Sequence, residues 1–325
     1  MFAIQEQCMY LKRRGAVFVA AIAAFLIFGA TVFVLLRLER GEVSNKQKNT
    51  AYTSEAYIPS TDEYMRVPLH DWELHYHVPE QDEQNRVARA TRILGGIVPH
   101  HLAAQSFIAE MFSLLADREN RPRTVVILSP NHLEAGESFV QTANMVWETP
   151  DGPIGTDAVK SEEIAVSFNA SFQNESMRSE HGVYNIIPFV KHFLPDANVV
   201  PITLRFATPA SDRDRLVEIL SKWLKQNDDV VFIASIDFSH YLSFEEAQKK
   251  DDETRAAMER YDFAEIASYR SDHLDTPAGL IVLLRTMQLL NVNRQTFLRY
   301  DNSGQKLNRP FARTTSHFLV SFTQM

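Results

Sequence analysis

Histidine and carboxylate side chains recur in this chain just after short apolar runs. His100 and His101 follow Ile93–Val98 and a proline, and His132 ends the stretch Thr124–His132 after four apolar residues and Ser129-Pro130-Asn131. Asp237 and His240 follow Val230–Ile236, Glu180-His181 opens a helix-like stretch, and His273 sits in the Asp272–Asp275 turn. Neutral imidazoles bind first-row transition metals, and two histidines plus a third ligand with open positions is the layout of non-haem iron oxygen chemistry. A lone histidine after a strand is more often a turn or hydrogen-bonding residue. The recurrence is what points to a site, because open α/β sheets gather ligands in the crevice beyond the carboxyl ends of their strands.

Composition narrows the donors. Cys8 is the only cysteine, which excludes a disulfide framework and a zinc site built on thiolates. A metal here has to be held by histidine and carboxylate. The net charge of -8 implies no broad basic face and argues against nucleic acid as a partner. Nothing matches a phosphate-binding loop, a dinucleotide fingerprint or a nucleophile elbow.

The elements that position these groups read as α/β. Ile93–Val98, Val125–Leu128, Val199–Leu204 and Asp229–Ile236 are apolar runs of the kind buried on both faces of a parallel sheet. Helical spacing covers His101–Ala116, Thr156–Phe168, Ser211–Gln226, Phe244–Tyr261 and Leu280–Leu290, and a further helix opens near Glu180 and His181. Phe139–Val146 alternates loosely, Glu148–Gly155 reads as a turn-rich loop, and Phe297–Asp301 and Thr315–Phe322 read as closing strands.

Upstream the chain changes character. Gly15–Leu36 is a run of 22 uncharged residues, long enough to cross the ~30 Å hydrocarbon core as a helix. Lys12, Arg13 and Arg14 precede it, which favours a cytoplasmic N-terminus and a domain outside the cytoplasm. A signal peptide is the rival reading; its apolar core is usually ~7–15 residues and ends at a small-residue site, so a retained anchor fits better. The expected organisation is a cytoplasmic N-terminus (1–14), a transmembrane anchor (15–36), a linker (37–60) and an α/β domain (61–325), in a single-pass protein of the cell membrane. Within Thr61–Arg92, the alternation around Leu74–Val78 suggests an edge strand, and His70, His75 and His77 read as solvated rather than metal-binding.

Several motifs in order carry a resemblance. Pro99-His100, Ser129-Pro130-Asn131-His132, Glu180-His181-Gly182-Val183, Ser235-Ile236-Asp237-Phe238-Ser239-His240-Tyr241 and Pro277-Ala278-Gly279 follow the order seen in the Memo-like family. That family is known in bacteria as the AmmeMemoRadiSam system protein B and is related to the LigB-type extradiol dioxygenases. The resemblance covers about Ile93 to Phe322. It implies a three-layer α/β/α sandwich around a mixed sheet, with two histidines and a cysteine lining the pocket where the dioxygenases hold iron with two histidines and a glutamate. The histidines correspond to His100 and His132, and counting back from Pro277 puts His273 at the cysteine position. The implied metal set is therefore His100, His132 and His273, a neutral shell for iron(II) that also suits zinc or copper. His240 is implied as acid/base and Asp237 as its hydrogen-bond partner or a fourth ligand. Glu180 and His181 are expected at the pocket, with a helix cap as the plainer alternative. Two family features are missing: the tyrosine of Pro-His-Ala-Gly-Tyr, where His101-Leu102-Ala103 stands instead, and the N-terminal His-x-Gly-x-Trp-Tyr segment.

Three functions follow as expectations. The first is a metal-dependent oxidoreductase of the ring-opening dioxygenase type, acting on an unknown small molecule. The second is a non-catalytic metal- or ligand-binding module of the Memo-like type, displayed on a membrane. The third, a hydrolase using zinc-bound water, fits the three-histidine set alone.

Overall fold

The structure is a computed structural model that describes residues 64–66, 74–78, 92–292, 294–306 and 313–324. Strands are β1 (Tyr64–Arg66), β2 (Arg92–Val98), β3 (Thr124–Pro130), β4 (Val140–Thr142), β5 (Val146–Thr149), β6 (Gly152–Gly155), β7 (Asn198–Leu204), β8 (Val230–Ser235), β9 (His240–Leu242), β10 (Arg294–Asn302) and β11 (Thr314–Gln324). Helices are α1 (Gln105–Ala116), α2 (Ala158–Ser167), α3 (Asn174–Ser179), α4 (His181–Tyr184), α5 (Ile187–Phe193), α6 (Ala210–Gln226), α7 (Phe244–Arg260), α8 (Phe263–Ser268), α9 (Pro277–Leu289) and α10 (Ser303–Lys306).

The main sheet runs β10-β11-β2-β8-β3-β7-β4, with β9 pairing β11 off that path. Its centre is parallel (β2 with β8, β8 with β3, β3 with β7), and the flanking pairs β4–β7, β11–β2 and β10–β11 are antiparallel. It is the expected mixed sheet. Strand β3 lies between β8 and β7 and is buried along its whole length, which is why Thr124–Pro130 reads as an unbroken apolar run.

Successive side chains of a strand point to opposite faces, and the core divides accordingly. Val126, Leu128, Phe232 and Ala234 pack on one side with Leu220 and Trp223 of α6 and Leu280–Leu284 of α9. Val125, Ile127, Val231 and Ile233 pack on the other with Ile108, Met111 and Leu115 of α1 and Phe189 of α5. The result is three layers, helix on sheet on helix. Gly95 and Gly96 of β2 let both helical layers come close. A Cβ on Gly95 would stand 2.8 Å from Met287 of α9, and one on Gly96 would stand 2.5 Å from Met111 of α1.

Three local expectations differ from what is found. Glu148–Gly155 is not a loop: β5 and β6 form an antiparallel hairpin, with Gly152 at φ 100° in the turn, and β1 adds to β5 in parallel. The helix entered near Glu180 is broken into α3, α4 and α5. Leu74–Val78 pairs with no strand, although its alternation has a cause. Leu74, Tyr76 and Val78 lie against the α1/α5 side of the core while His75 and His77 stay exposed, as solvated histidines should. His70, the linker and the Gly15–Leu36 anchor lie outside the described residues. Among the described residues no helix is long and apolar enough to cross a membrane.

Candidate metal centre

The parallel strands β2, β3 and β8 all end at one edge, so their following residues meet. Val98 of β2 is level with Ser235 of β8, and Leu128 of β3 is level with Ala234. His100 therefore comes off β2, His132 off β3 and Asp237 off β8, into one crevice. The fourth contributor is α4, whose first residue is His181. His100, His132 and His181 each offer a ring nitrogen, and these atoms lie within 4.8 Å of one another. This three-histidine group can hold a metal ion.

The hydrogen bonds fix which nitrogens face inward. Ser235 donates its hydroxyl proton to the Gly182 carbonyl at 2.6 Å, so toward His100 Nδ1, 3.0 Å away, its oxygen can only accept. His100 then carries its proton on Nδ1 and turns a bare Nε2 lone pair toward the crevice. Burial, reinforced by the neighbouring histidines, holds its pKa well below the usual imidazole value. It is neutral at pH 7.

His132 is set by a carboxylate. Its Nδ1 lies 2.6 Å from Glu180 Oε1, and its main-chain N–H donates to Glu180 Oε2 at 2.9 Å. Glu180 also takes the N–H of Gly182 at 2.8 Å, capping α4. Glu180 thus caps α4 and at the same time orients His132 from behind. Burial raises the Glu180 pKa, but His132 and the two N–H donors outweigh that and bring it below the usual value.

Gly182 makes this corner possible. A Cβ there would stand 2.1 Å from Ser129 Oγ at the end of β3. The glycine after Glu180-His181 is therefore what lets α4 sit on the strand end.

Asp237 is not a partner of His240. Its Oδ1 accepts from the His100 main-chain N–H at 3.1 Å, and its Oδ2 lies 3.4 Å from His100 Nε2. It shapes the turn that carries His100. Burial pushes its pKa up to about 7. His240 lies on the cleft wall, with Nδ1 buried and no hydrogen-bond partner for it among the described residues. Burial lowers its pKa to about 4, so it too is neutral at pH 7. A cleft of about 280 Å³ opens at His132 and is lined by His132, His240, Asp275, Leu204, Phe206 and Tyr241 among others. A larger hollow of about 490 Å³ sits at the opposite strand ends, among Arg121, Arg123, Asp196 and Asp229, with none of these histidines. Size is a poorer guide here than the donors.

His273, implied as the third ligand by the count from Pro277, is not in the three-histidine group. Its ring stacks on Tyr269 with centroids 3.9 Å apart, and its Nε2 lies 3.1 Å from Glu253 Oε2. Those partners hold the ring against α7 and the residue that ends α8. Two residues on, Asp275 does reach the crevice: its Oδ2 is 3.3 Å from His100 Nε2 and 4.0 Å from His132 Nε2. His181, expected from the sequence at the pocket but not as a ligand, takes the third place in the histidine group, its ring centroid 3.9 Å from that of His132.

His101 pairs elsewhere. Its Nδ1 lies 3.2 Å from Nε2 of His317, a buried residue of β11. This partner was not legible, because His317 sits inside an apolar strand with no motif around it.

The donor arrangement fits a divalent metal: ring nitrogens of three histidines converge, and that of His100 is a bare lone pair. The family comparison agrees with the motifs. The family model for Memo-like proteins matches residues 68–310. A MEMO1 family protein of Pyrobaculum arsenaticum is 28% identical over 66% of this chain and 78% of its own length. One from Aquifex aeolicus is 28% identical over 64% of this chain and 78% of its own. Among solved structures, an uncharacterized protein from Escherichia coli K12 gives a TM-score of 0.48 at 13% identity, over 71% of this chain and all of that one. With its five motifs in order, its three-layer fold and a family match across most of its length, the chain belongs to the Memo-like family.

Proposed function

We propose that this chain is a metal-dependent oxidoreductase of the kind to which the extradiol dioxygenases belong, with iron(II) as its metal. The observation that carries the reading is the convergence of His100, His132 and His181, with His132 also lining an open cleft whose wall holds a neutral His240. A bound metal there would supply a Lewis-acid centre that orients and polarises a small molecule. The protein groups do the rest. Ser235 and Glu180 aim the two imidazoles, and His240, neutral across the physiological range, accepts a proton from a cleft-bound substrate. Metal analysis of the purified chain, with and without His132→Ala, tests the site: one iron per chain is expected, lost in the variant. Oxygen uptake with a panel of catechols tests the reaction, and full metal loading without turnover would overturn it.

That second outcome has a specific observation in its favour. The histidine group includes no glutamate ligand, whereas the resemblance ascribes one to the dioxygenases. Metal-loaded, turnover-free protein that still binds a small molecule in the cleft is then the result expected of a binding module.

The membrane placement is proposed on the sequence alone. Gly15–Leu36 anchors the chain, with the α/β domain outside the cytoplasm and the basic cluster Lys12–Arg14 inside. Protease added to intact cells should remove the domain. Protection until lysis would reverse the orientation, and release of the chain by salt would dispose of the anchor.

A further inference from the structure

We propose that Asp275 is a direct metal ligand, completing with His100 and His132 a two-histidine, one-carboxylate face in which His181 is the fourth donor. The proposal rests on the metal-site reading above and concerns which residue brings the negative charge.

The geometry around Asp275 is that of a ligand held ready. Its main-chain N–H donates to the Asp237 carbonyl at 3.1 Å, and its Oδ2 accepts from the Asp237 N–H at 3.0 Å. These two bonds pin the residue to the end of β8. Thr276 then caps α9 by accepting from the Gly279 N–H at 3.1 Å, so the helix entrance fixes the turn from the other side.

The carboxylate so held faces lone pairs. Oδ2 stands 3.3 Å from the bare His100 Nε2 and 4.0 Å from His132 Nε2. Oδ1 is buried with no hydrogen-bond partner among the described residues. Acceptors crowded in this way cost free energy unless a proton or a cation lies between them, and a metal that enters takes the place of the proton. The remaining carboxylate, Asp237, has its Oδ1 committed to the His100 main chain and contacts only one of the two inward histidine nitrogens. His273, the residue expected from spacing, is held on Tyr269 and Glu253.

The consequence is one of metal choice. An all-imidazole shell suits zinc and copper; adding a hard oxygen donor shifts preference toward iron(II) and manganese(II).

Cobalt(II) binding to the full-length chain tests the idea without any turnover. In a Cys8→Ala background, which removes the single native thiol, Asp275→Cys should give a thiolate-to-cobalt charge-transfer band in the near ultraviolet, and His273→Cys should not. Asp275→Asn should keep the native circular dichroism and weaken cobalt binding by about 10-fold or more, with an altered visible spectrum. Asp275→Cys protein that binds cobalt without the band overturns the proposal. If that variant does not fold, Asp275→Asn decides, and unchanged affinity and spectrum overturn it. A parent chain that binds no cobalt overturns the metal site itself, a result distinct from loss of Asp275 alone.

Discussion

Glu180 holds His132 at two points, ring Nδ1 at 2.6 Å and main-chain N–H at 2.9 Å, so one carboxylate sets both the position of the histidine and its tautomer. The inward nitrogen of His132 is therefore Nε2, and it is bare whenever the ring is neutral. Glu180→Gln keeps the size but loses the charge that favours this tautomer, and it puts an amide NH2 against one of the N–H groups that the carboxylate accepts from. Metal affinity is expected to fall about 10- to 100-fold, the range found for groups behind a histidine ligand. Competition with a chromophoric chelator measures it, and unchanged affinity would show that Glu180 serves only as the α4 cap.

Gly182→Ala addresses the same corner through packing. The added methyl would stand 2.1 Å from Ser129 Oγ and 3.1 Å from Glu180 Oε1. Ser129 is fully buried at the end of β3 and cannot swing into open space. A loss of about 1–3 kcal/mol in folding stability is expected, as for overpacked sites. Weaker metal binding should accompany it, because His181 begins α4 and Glu180 caps it. Urea denaturation and a metal titration on one preparation check the two effects, and full native stability would mean that the strand end yields more readily than its burial implies.

Much of the site was legible because burial and position leave marks in sequence. Thr124–Pro130 is apolar throughout because β3 is covered on both faces, and a polar group directly after such a strand has only the crevice to enter. His100, His132 and Asp237 were found that way. His273 fails because spacing fixes only where a residue lies along the chain. Its ring direction is set by Tyr269 and Glu253, which come from other turns of the fold. Asp275 was visible in the same turn, yet nothing local showed that its main chain would pin to Asp237. The hairpin at Glu148–Gly155 was hidden for a related reason: its proline and glycines look like loop punctuation, while its pairing partner β1 lies far upstream.

Metal binding should strengthen with pH. Burial pulls the His132 pKa down, but the hydrogen bond and charge of Glu180, aided by Asp275 and Asp237, raise it overall. Burial also raises Asp237 to about 7, and raises Asp275 well above the usual carboxylate range with the help of the Asp237 charge. Each group holds a proton that a metal must displace. The sign for stability follows from linkage. The raised histidine stabilises the metal-free fold below its unfolded value of about 6.5 and loses that contribution as pH rises through its folded value. The raised carboxylates likewise leave the metal-free fold less stable as pH climbs past about 4 toward their folded values. His100 and His240, both lowered by burial, act oppositely but only below about 6.5. Between about pH 6.5 and 8 the metal-free Tm should therefore fall while the Tm increment from added manganese(II) grows. A pH-independent increment would exclude proton release from these residues.

His181→Ala and His273→Ala form the sharpest comparison. His181 shares the crevice with His100 and His132, its ring tilted 31° to that of His132 and half-open to solvent. Its loss removes one donor of the group without opening a buried cavity, so folding stability should change by less than about 1 kcal/mol. Metal content by mass spectrometry should nevertheless fall. His273 is buried in its stack on Tyr269 and its contact with Glu253. Truncating it should cost about 1–3 kcal/mol, as for a packed side chain whose polar partner is left behind, with metal content unchanged. The two variants thus predict opposite patterns, metal lost with stability kept and stability lost with metal kept. The reverse pattern would restore His273 as the third ligand and remove His181 from the site.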